Sequence, residues 1–151
     1  EGYLLNTASA AGLLTQLGSL SYSITKAAAV SIAEWISISH HHQGIRVSVL
    51  CPQAVATNIL ANRPDRLPDD PVDLDGGAAG VDGVLSPDDV AQACLDAIRD
   101  ERFLVLPHPS VATYAERKGA DRERWLAGMR RFQSALYPEG ELPGDALAPN
   151  L

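Results

Sequence analysis

Two short apolar runs joined by a long unbroken segment constrain this chain more than any other feature. Tyr3 to Thr7 is apolar and ends in small polar residues, and Arg46-Val47-Ser48-Val49-Leu50-Cys51 is rich in β-branched residues and halted by Pro52. Both read as strands, and the second stops where it does because proline has no N–H to give a sheet ladder. Between them, from about Ser21 to His41, Ala, Ile and Ser run on without Pro or Gly, and Gly44 follows at a position where helices often end. This is a long, mostly buried helix. A connection of that length lets the second strand lie parallel to the first, through a crossover that is right-handed in almost all known cases. Thr7-Ala8-Ser9-Ala10-Ala11-Gly12, after the first strand, is expected to be an open loop.

From Asn58 to Leu85 the composition changes: Pro64, Pro68, Pro71, Gly76, Gly77, Gly80 and Gly83 are mixed with six aspartates, and no period survives. A connection of this length within a domain is usually functional or disordered, so residues 58–85 read either as a lid over a substrate or as plain disorder. Ser86-Pro87-Asp88-Asp89 then supplies an N-cap, a first-position proline and first-turn acids for a helix to about Asp100. Phe103 to Leu106 reads as a third strand, stopped by Pro107. Two helices follow, one before Gly119 and one after Asp121; in the second, Trp125, Leu126, Met129, Phe132 and Leu136 share a face. The expected fold class is α/β, a domain over 1–136 with three parallel strands, and 137–151 as a loose tail.

The length of 151 residues and a hydrophobic content of 46% suit one globular domain, and the net charge of −7 argues against non-specific nucleic-acid binding, which needs Lys and Arg against phosphates. No apolar run approaches the ~18–20 residues of a membrane span. Two cysteines, Cys51 and Cys94, are too few for a disulfide framework and are expected as buried free thiols in a reducing compartment, the cytoplasm. The chain opens on Glu1 with no initiator Met or leader and enters an apolar run at once, as a stretch of a longer polypeptide would. His40, His41 and His42 are consecutive, so on a helix they point about 100° apart and do not converge on one metal ion. The acids of 58–85 lack the alternating spacing of a calcium loop. Arg117, Lys118, Arg122, Arg124, Arg130 and Arg131 alternate with acids, as on a solvated helix surface. Ser19, Ser21 and Ser23 have no histidine base placed near them by any motif, which disfavours a hydrolase.

Tyr22-Ser23-Ile24-Thr25-Lys26 sets a phenol and an ammonium one helical turn apart on one face. A nearby cation favours the phenolate and so suits the tyrosine to general acid–base work. Ser9, thirteen residues before Tyr22 at the end of the preceding strand, would add a hydroxyl for a carbonyl or carbinol oxygen. The segment Asn6 to Gly12 with Ser9, then Tyr22 and Lys26, then Arg46 to Pro52 and Val55-Ala56-Thr57 stand in the order and at the spacings of the short-chain dehydrogenase/reductase family. The resemblance covers roughly Gly2 to Leu106.

That resemblance implies a Rossmann-like doubly wound parallel sheet and a hydride-transfer oxidoreductase using NAD or NADP on a small alcohol or carbonyl substrate. It implies that Tyr22 gives or takes the proton on the substrate oxygen, that Lys26 assists it and holds the nicotinamide ribose, and that Ser9 hydrogen-bonds the reacting oxygen. Pro52, Val55 and Thr57 would flank the nicotinamide. Relatives with the same Tyr and Lys also act as epimerases or dehydratases, and a non-catalytic dinucleotide-binding assembly protein is a further alternative, disfavoured by retention of all three polar residues. The family usually has Gly where Gln53 stands, and no role is carried onto Gln53. Its glycine-rich cofactor turn does not occur in these residues, so the chain is expected to be the C-terminal half of such a domain, inactive alone. In relatives, the helices corresponding to those at Ser21 and Ser86 pair across a dimer axis, which implies a homodimer or homotetramer.

Overall fold

The computed structural model describes residues 1–59 and 79–138. The elements are β1 (Gly2–Thr7), α1 (Ala10–Leu14), α2 (Leu20–His40), β2 (Ile45–Leu50), α3 (Pro87–Arg99), β3 (Leu104–Val105), α4 (Ser110–Ala120) and α5 (Arg122–Leu136), with a 3-10 turn at His41–Gln43. The three strands form one parallel sheet in the order β1-β2-β3, with Gly2 opposite Ile45 and Thr7 opposite Leu50. The expected strand–helix–strand unit is therefore present, with Gly2 added at the start of β1 and β2 beginning and ending one residue earlier than expected. Gly44, at φ 77°, takes the left-handed position that ends the helical segment, and its N–H caps the His41 carbonyl.

Local chemistry accounts for the later elements too. Ser86 caps α3 by accepting from the Asp89 N–H at 3.1 Å, with Pro87 in the first turn, and Asp121 caps α5 by accepting from the Arg124 N–H at 2.9 Å. The third strand is shorter than the apolar run Phe103 to Leu106. Only Leu104 and Val105 pair with β2, through Val49 N–H to the Phe103 carbonyl and Cys51 N–H to the Val105 carbonyl. The apolar stripe of α5 meets no core among the described residues: none of its residues is buried, Leu126 and Leu136 are exposed, and Trp125 lies against Tyr114 with ring centroids 6.3 Å apart.

The alternation of β2 organises the packing. Val47, Val49 and Cys51 turn to one face and pack with Val30 and Ala33 of α2, while Leu50 turns to the other and packs with Val90, Cys94 and Ala97 of α3. On that second face the Tyr3 hydroxyl meets Ser48 Oγ at 2.7 Å, and Ser48 Oγ donates to the Arg102 carbonyl at 2.6 Å. Helices thus cover both faces of β2, as a doubly wound sheet requires. Because the strands run β1, β2, β3 in one direction while α2 and α3 lie on opposite faces, the two crossovers have opposite hand. One of them departs from the rule expected of both.

Two surfaces of this sheet and its helices are left apolar. β1 pairs with β2 alone among the described residues, and Leu4 and Leu5, on its two faces, are 43% and 37% exposed. The face of α2 turned away from the sheet carries Ile24, Ile32, Trp35 and Ile38, all exposed. No helix of the described residues is long and apolar enough to cross a membrane. Residues 60–78 of the expected lid, and 139–151 of the expected tail, lie outside the described residues.

Candidate active site

The stretch after β1 is not the open loop its composition suggests. Ser9 is the N-cap of α1, accepting from the Ala11 N–H at 3.2 Å, and it is buried. Small residues were compatible with either form; what selects the helix is tertiary support. The Ala8 N–H reaches the Leu50 carbonyl and the Ala10 N–H the Pro52 carbonyl, both at 2.8 Å, while Lys118 Nζ from α4 donates to the Leu13 carbonyl at the other end. The Ser9 hydroxyl also donates to the Pro52 carbonyl, at a long 3.4 Å. That weak bond leaves the hydroxyl proton free to turn to a stronger acceptor at little cost.

Gly12 sets how closely α1 approaches α2. A Cβ there would lie 2.6 Å from the Lys26 carbonyl oxygen and 2.8 Å from its carbon, backbone atoms that have no side-chain rotamer to move aside. Overpacking of this kind costs about 1–3 kcal/mol. Gly12→Ala in the whole protein is therefore expected to lower the melting temperature by several degrees and to displace Ser9 relative to the turn of α2 that carries Tyr22 and Lys26. A thermal unfolding curve unchanged from wild type would contradict this close approach.

Tyr22 and Lys26 face each other as their spacing predicts. Lys26 Nζ lies 5.5 Å from the centroid of the Tyr22 ring and donates to the Thr7 carbonyl at 3.4 Å. Both side chains are half-buried. The structure thus ties Lys26 to the last residue of β1, two positions before Ser9, and brings Ser9 to Pro52 beyond β2. Val55 is half-buried, bridged to Leu85 and packed on the α3 side; Thr57 is exposed, its hydroxyl accepting from the Ile59 N–H at 3.4 Å. All of these lie beyond the carboxyl ends of parallel strands, where open α/β sheets bind their ligands.

The neighbouring Cys51 is fully buried, and that burial pushes its thiol up to about 11, against smaller lowering by the Ser9 backbone N–H and the Lys26 charge. It is a protonated packing group at neutral pH. Cys94 is likewise buried and raised by burial, and both cysteines are free thiols. His40, where α2 ends, packs edge-on against Trp35 and meets Gln43 at 3.2 Å.

A second polar group, which the sequence reading did not assemble, adjoins this site. Asp82 takes three hydrogen bonds: from Gln53 Nε2 at 2.9 Å, from the Ser110 hydroxyl at 2.8 Å and from the Tyr114 hydroxyl at 3.1 Å. Desolvation raises the Asp82 carboxyl, but these three bonds outweigh it and hold the group below its usual range. The clasp is therefore fully made above the ordinary carboxylate range and is lost as pH falls through the depressed value. Beneath it the buried His108 accepts from the Gln53 backbone N–H through Nδ1 at 3.1 Å. Two signals pointed here: Gln53 in a place where glycine is usual, and a histidine held between Pro107 and Pro109.

Known proteins resemble this chain in sequence and in fold. The family model described as short chain dehydrogenase matches residues 1–67. The chain is 32% identical over 69 residues to the meso-2,3-butanediol dehydrogenase of Serratia marcescens, covering 46% of this chain and 28% of that protein. It is 31% identical over 101 residues to the 1-deoxy-11-beta-hydroxypentalenate dehydrogenase of Streptomyces exfoliatus, covering 67% of this chain and 33% of that protein. A short-chain dehydrogenase/reductase from Burkholderia phymatum, solved in complex with NAD, superposes with a TM-score of 0.63 at 30% identity, over 80% of this chain and 48% of that one. The chain thus spans less than half the length of the relatives it matches. With the parallel sheet and its helices on both faces, these matches support the short-chain dehydrogenase/reductase family as the one this chain resembles.

Proposed function

We propose that this chain forms the substrate-side part, over residues 1–136, of an NAD(P)-dependent oxidoreductase that interconverts a small alcohol and its carbonyl compound, acting in the cytoplasm. The observation that carries the reading is the Tyr22–Lys26 pair, held against the end of β1 beside Ser9. Lys26 has ammonium protons beyond the one given to Thr7 for a nicotinamide ribose, and Pro52, Val55 and Thr57, which follow β2 in the chain, would flank the nicotinamide. A bound nicotinamide supplies the hydride acceptor in oxidation and the donor in reduction.

The protein's own residues manage the proton. The Tyr22 hydroxyl lies on the helix face shared with Lys26, and Tyr22 takes the proton from the alcohol oxygen in oxidation and returns it in reduction. Ser9, fixed by its capping bond, directs its hydroxyl proton to the substrate oxygen in place of the long bond to Pro52. Lys26 would hold the ribose hydroxyls of a bound cofactor. The test is nicotinamide absorbance in the whole protein with NAD or NADP and a panel of secondary alcohols; Lys26→Ala is expected to raise the cofactor Kd about tenfold or more, the worth of one charged hydrogen bond. Conversion of substrate without net change in absorbance would replace this reading with an epimerase or dehydratase.

The outward face of α2, with Trp35 62% and Ile38 80% exposed, and Leu95 of α3 at 61%, support a homodimer or homotetramer built on these helices. Trp35→Glu is expected to shift the whole protein toward monomer in light scattering. A wild-type protein that is monomeric at micromolar concentration contradicts the proposal.

A further inference from the structure

Gln53 Oε1 and His108 Nε2 are buried, and neither has a hydrogen-bond partner among the described residues. Their chemical states follow from what their other atoms do. His108 Nδ1 accepts the Gln53 backbone N–H, so the neutral ring carries its proton on Nε2, which is a donor. Only the amide NH₂ of Gln53 can donate to the Asp82 carboxylate, so the remaining atom is Oε1, an acceptor. One unmatched donor and one unmatched acceptor therefore come from two side chains already joined by a backbone hydrogen bond. An unmatched buried polar atom is costly, and native structures keep such atoms where a ligand, an ion or a water belongs.

Their position narrows the occupant. Gln53 follows Pro52, whose carbonyl is bonded by Ser9 and Ala10, and His108 lies just beyond β3, which places both past the carboxyl ends of the strands. We propose that Gln53 and His108 form a two-point subsite for a second hydroxyl of the substrate, which accepts from His108 Nε2–H and donates to Gln53 Oε1. A hydroxyl meets both needs with one oxygen. A carbonyl would satisfy His108 alone, an ammonium would satisfy Gln53 alone, and a carboxylate would lie beside the charged Asp82. The subsite rests on the oxidoreductase reading, to which it adds a preference for diols or hydroxyketones.

Neither orphan has open surface in this arrangement, so the Gln53 side chain must swing for the hydroxyl to enter. The bond that restrains it, to Asp82, lies at the surface, where its loss costs little, and Asp82 keeps its bonds from Ser110 and Tyr114 meanwhile. Asp82 is thus a positioning residue that parks Gln53 when the subsite is empty.

The experiment compares kcat/KM of the whole protein for matched pairs differing by one hydroxyl: butan-2-ol with butane-2,3-diol, and pentan-2-ol with pentane-2,3-diol and pentane-2,4-diol. Wild type is expected to prefer at least one diol over its matched mono-alcohol tenfold or more. Gln53→Met, which keeps volume and removes the acceptor, and Gln53→Gly, which restores the residue usual in the family, should each collapse that ratio about tenfold, through KM for the diol. Residual mono-alcohol turnover in either variant reports that the fold survives. A wild-type ratio near one, or a ratio unmoved by both substitutions, overturns the subsite and leaves a bridging water or mere packing as the role of the pair. Absence of nicotinamide turnover with any alcohol overturns the parent reading, and the subsite with it.

Discussion

Tyr22→Phe is expected to leave the whole protein folded and to reduce kcat by about 10³-fold, within the range that a positioned general acid–base contributes. The substitution keeps the half-buried ring packed on α2 and removes one oxygen. Lys26, 5.5 Å from the ring centroid, then faces a ring that has no hydroxyl proton to give or take. The informative measurement is the pair of kcat and melting temperature: turnover should fall while thermal unfolding stays within about 2 °C, the shift of a fraction of a kcal/mol in a domain of this size. Near-wild-type turnover would remove Tyr22 from the chemistry, whatever its place beside Lys26.

A polypeptide of these 151 residues made alone is expected to self-associate and to bind neither NAD nor NADP measurably. Among the described residues β1 has one unpaired edge, flanked by exposed Leu4 and Leu5, and such an edge is a template for pairing with another chain. The outward apolar face of α2 adds a second adhesive surface. Cofactor affinity should suffer for a separate reason: no glycine-rich strand-to-helix turn occurs in the sequence to hold a pyrophosphate, so only the nicotinamide end would find partners. Light scattering and cofactor titration are the tests. A monomer with a cooperative thermal transition and micromolar cofactor affinity would show that these residues form a self-sufficient domain.

The parts of this fold legible from sequence are those settled by neighbours along the chain. Pro52 and Pro107 stop their strands, Gly44 ends a helical segment, and Ser86-Pro87 starts another, because in each case a backbone constraint acts within a few residues. The Tyr22–Lys26 pair was legible for the same reason, since helical periodicity alone sets it. What was hidden depends on distant chain. α1 forms because carbonyls of Leu50 and Pro52 and the ammonium of Lys118 secure a run of small residues that could equally have stayed open. The Asp82 clasp joins Gln53, Ser110 and Tyr114 across intervals that no periodicity spans. The stripe on α5 shows the converse, for an amphipathic pattern announces a buried face without naming what will cover it.

The opposite hands of the two crossovers have a kinetic consequence. A short link from β2 would carry the next helix back over the face that α2 already occupies, since that is the path strand twist favours. The long stretch from Pro52 to Ser86 frees the chain from that bias, at the entropic cost of closing a longer loop, which grows only slowly with length. Assembly should then be sequential: the β1-α2-β2 unit forms from nearer contacts, and α3 with β3 docks afterwards on the vacant side. Shortening the connection would leave the early unit intact and stall the late step, so refolding would halt at a half-covered sheet.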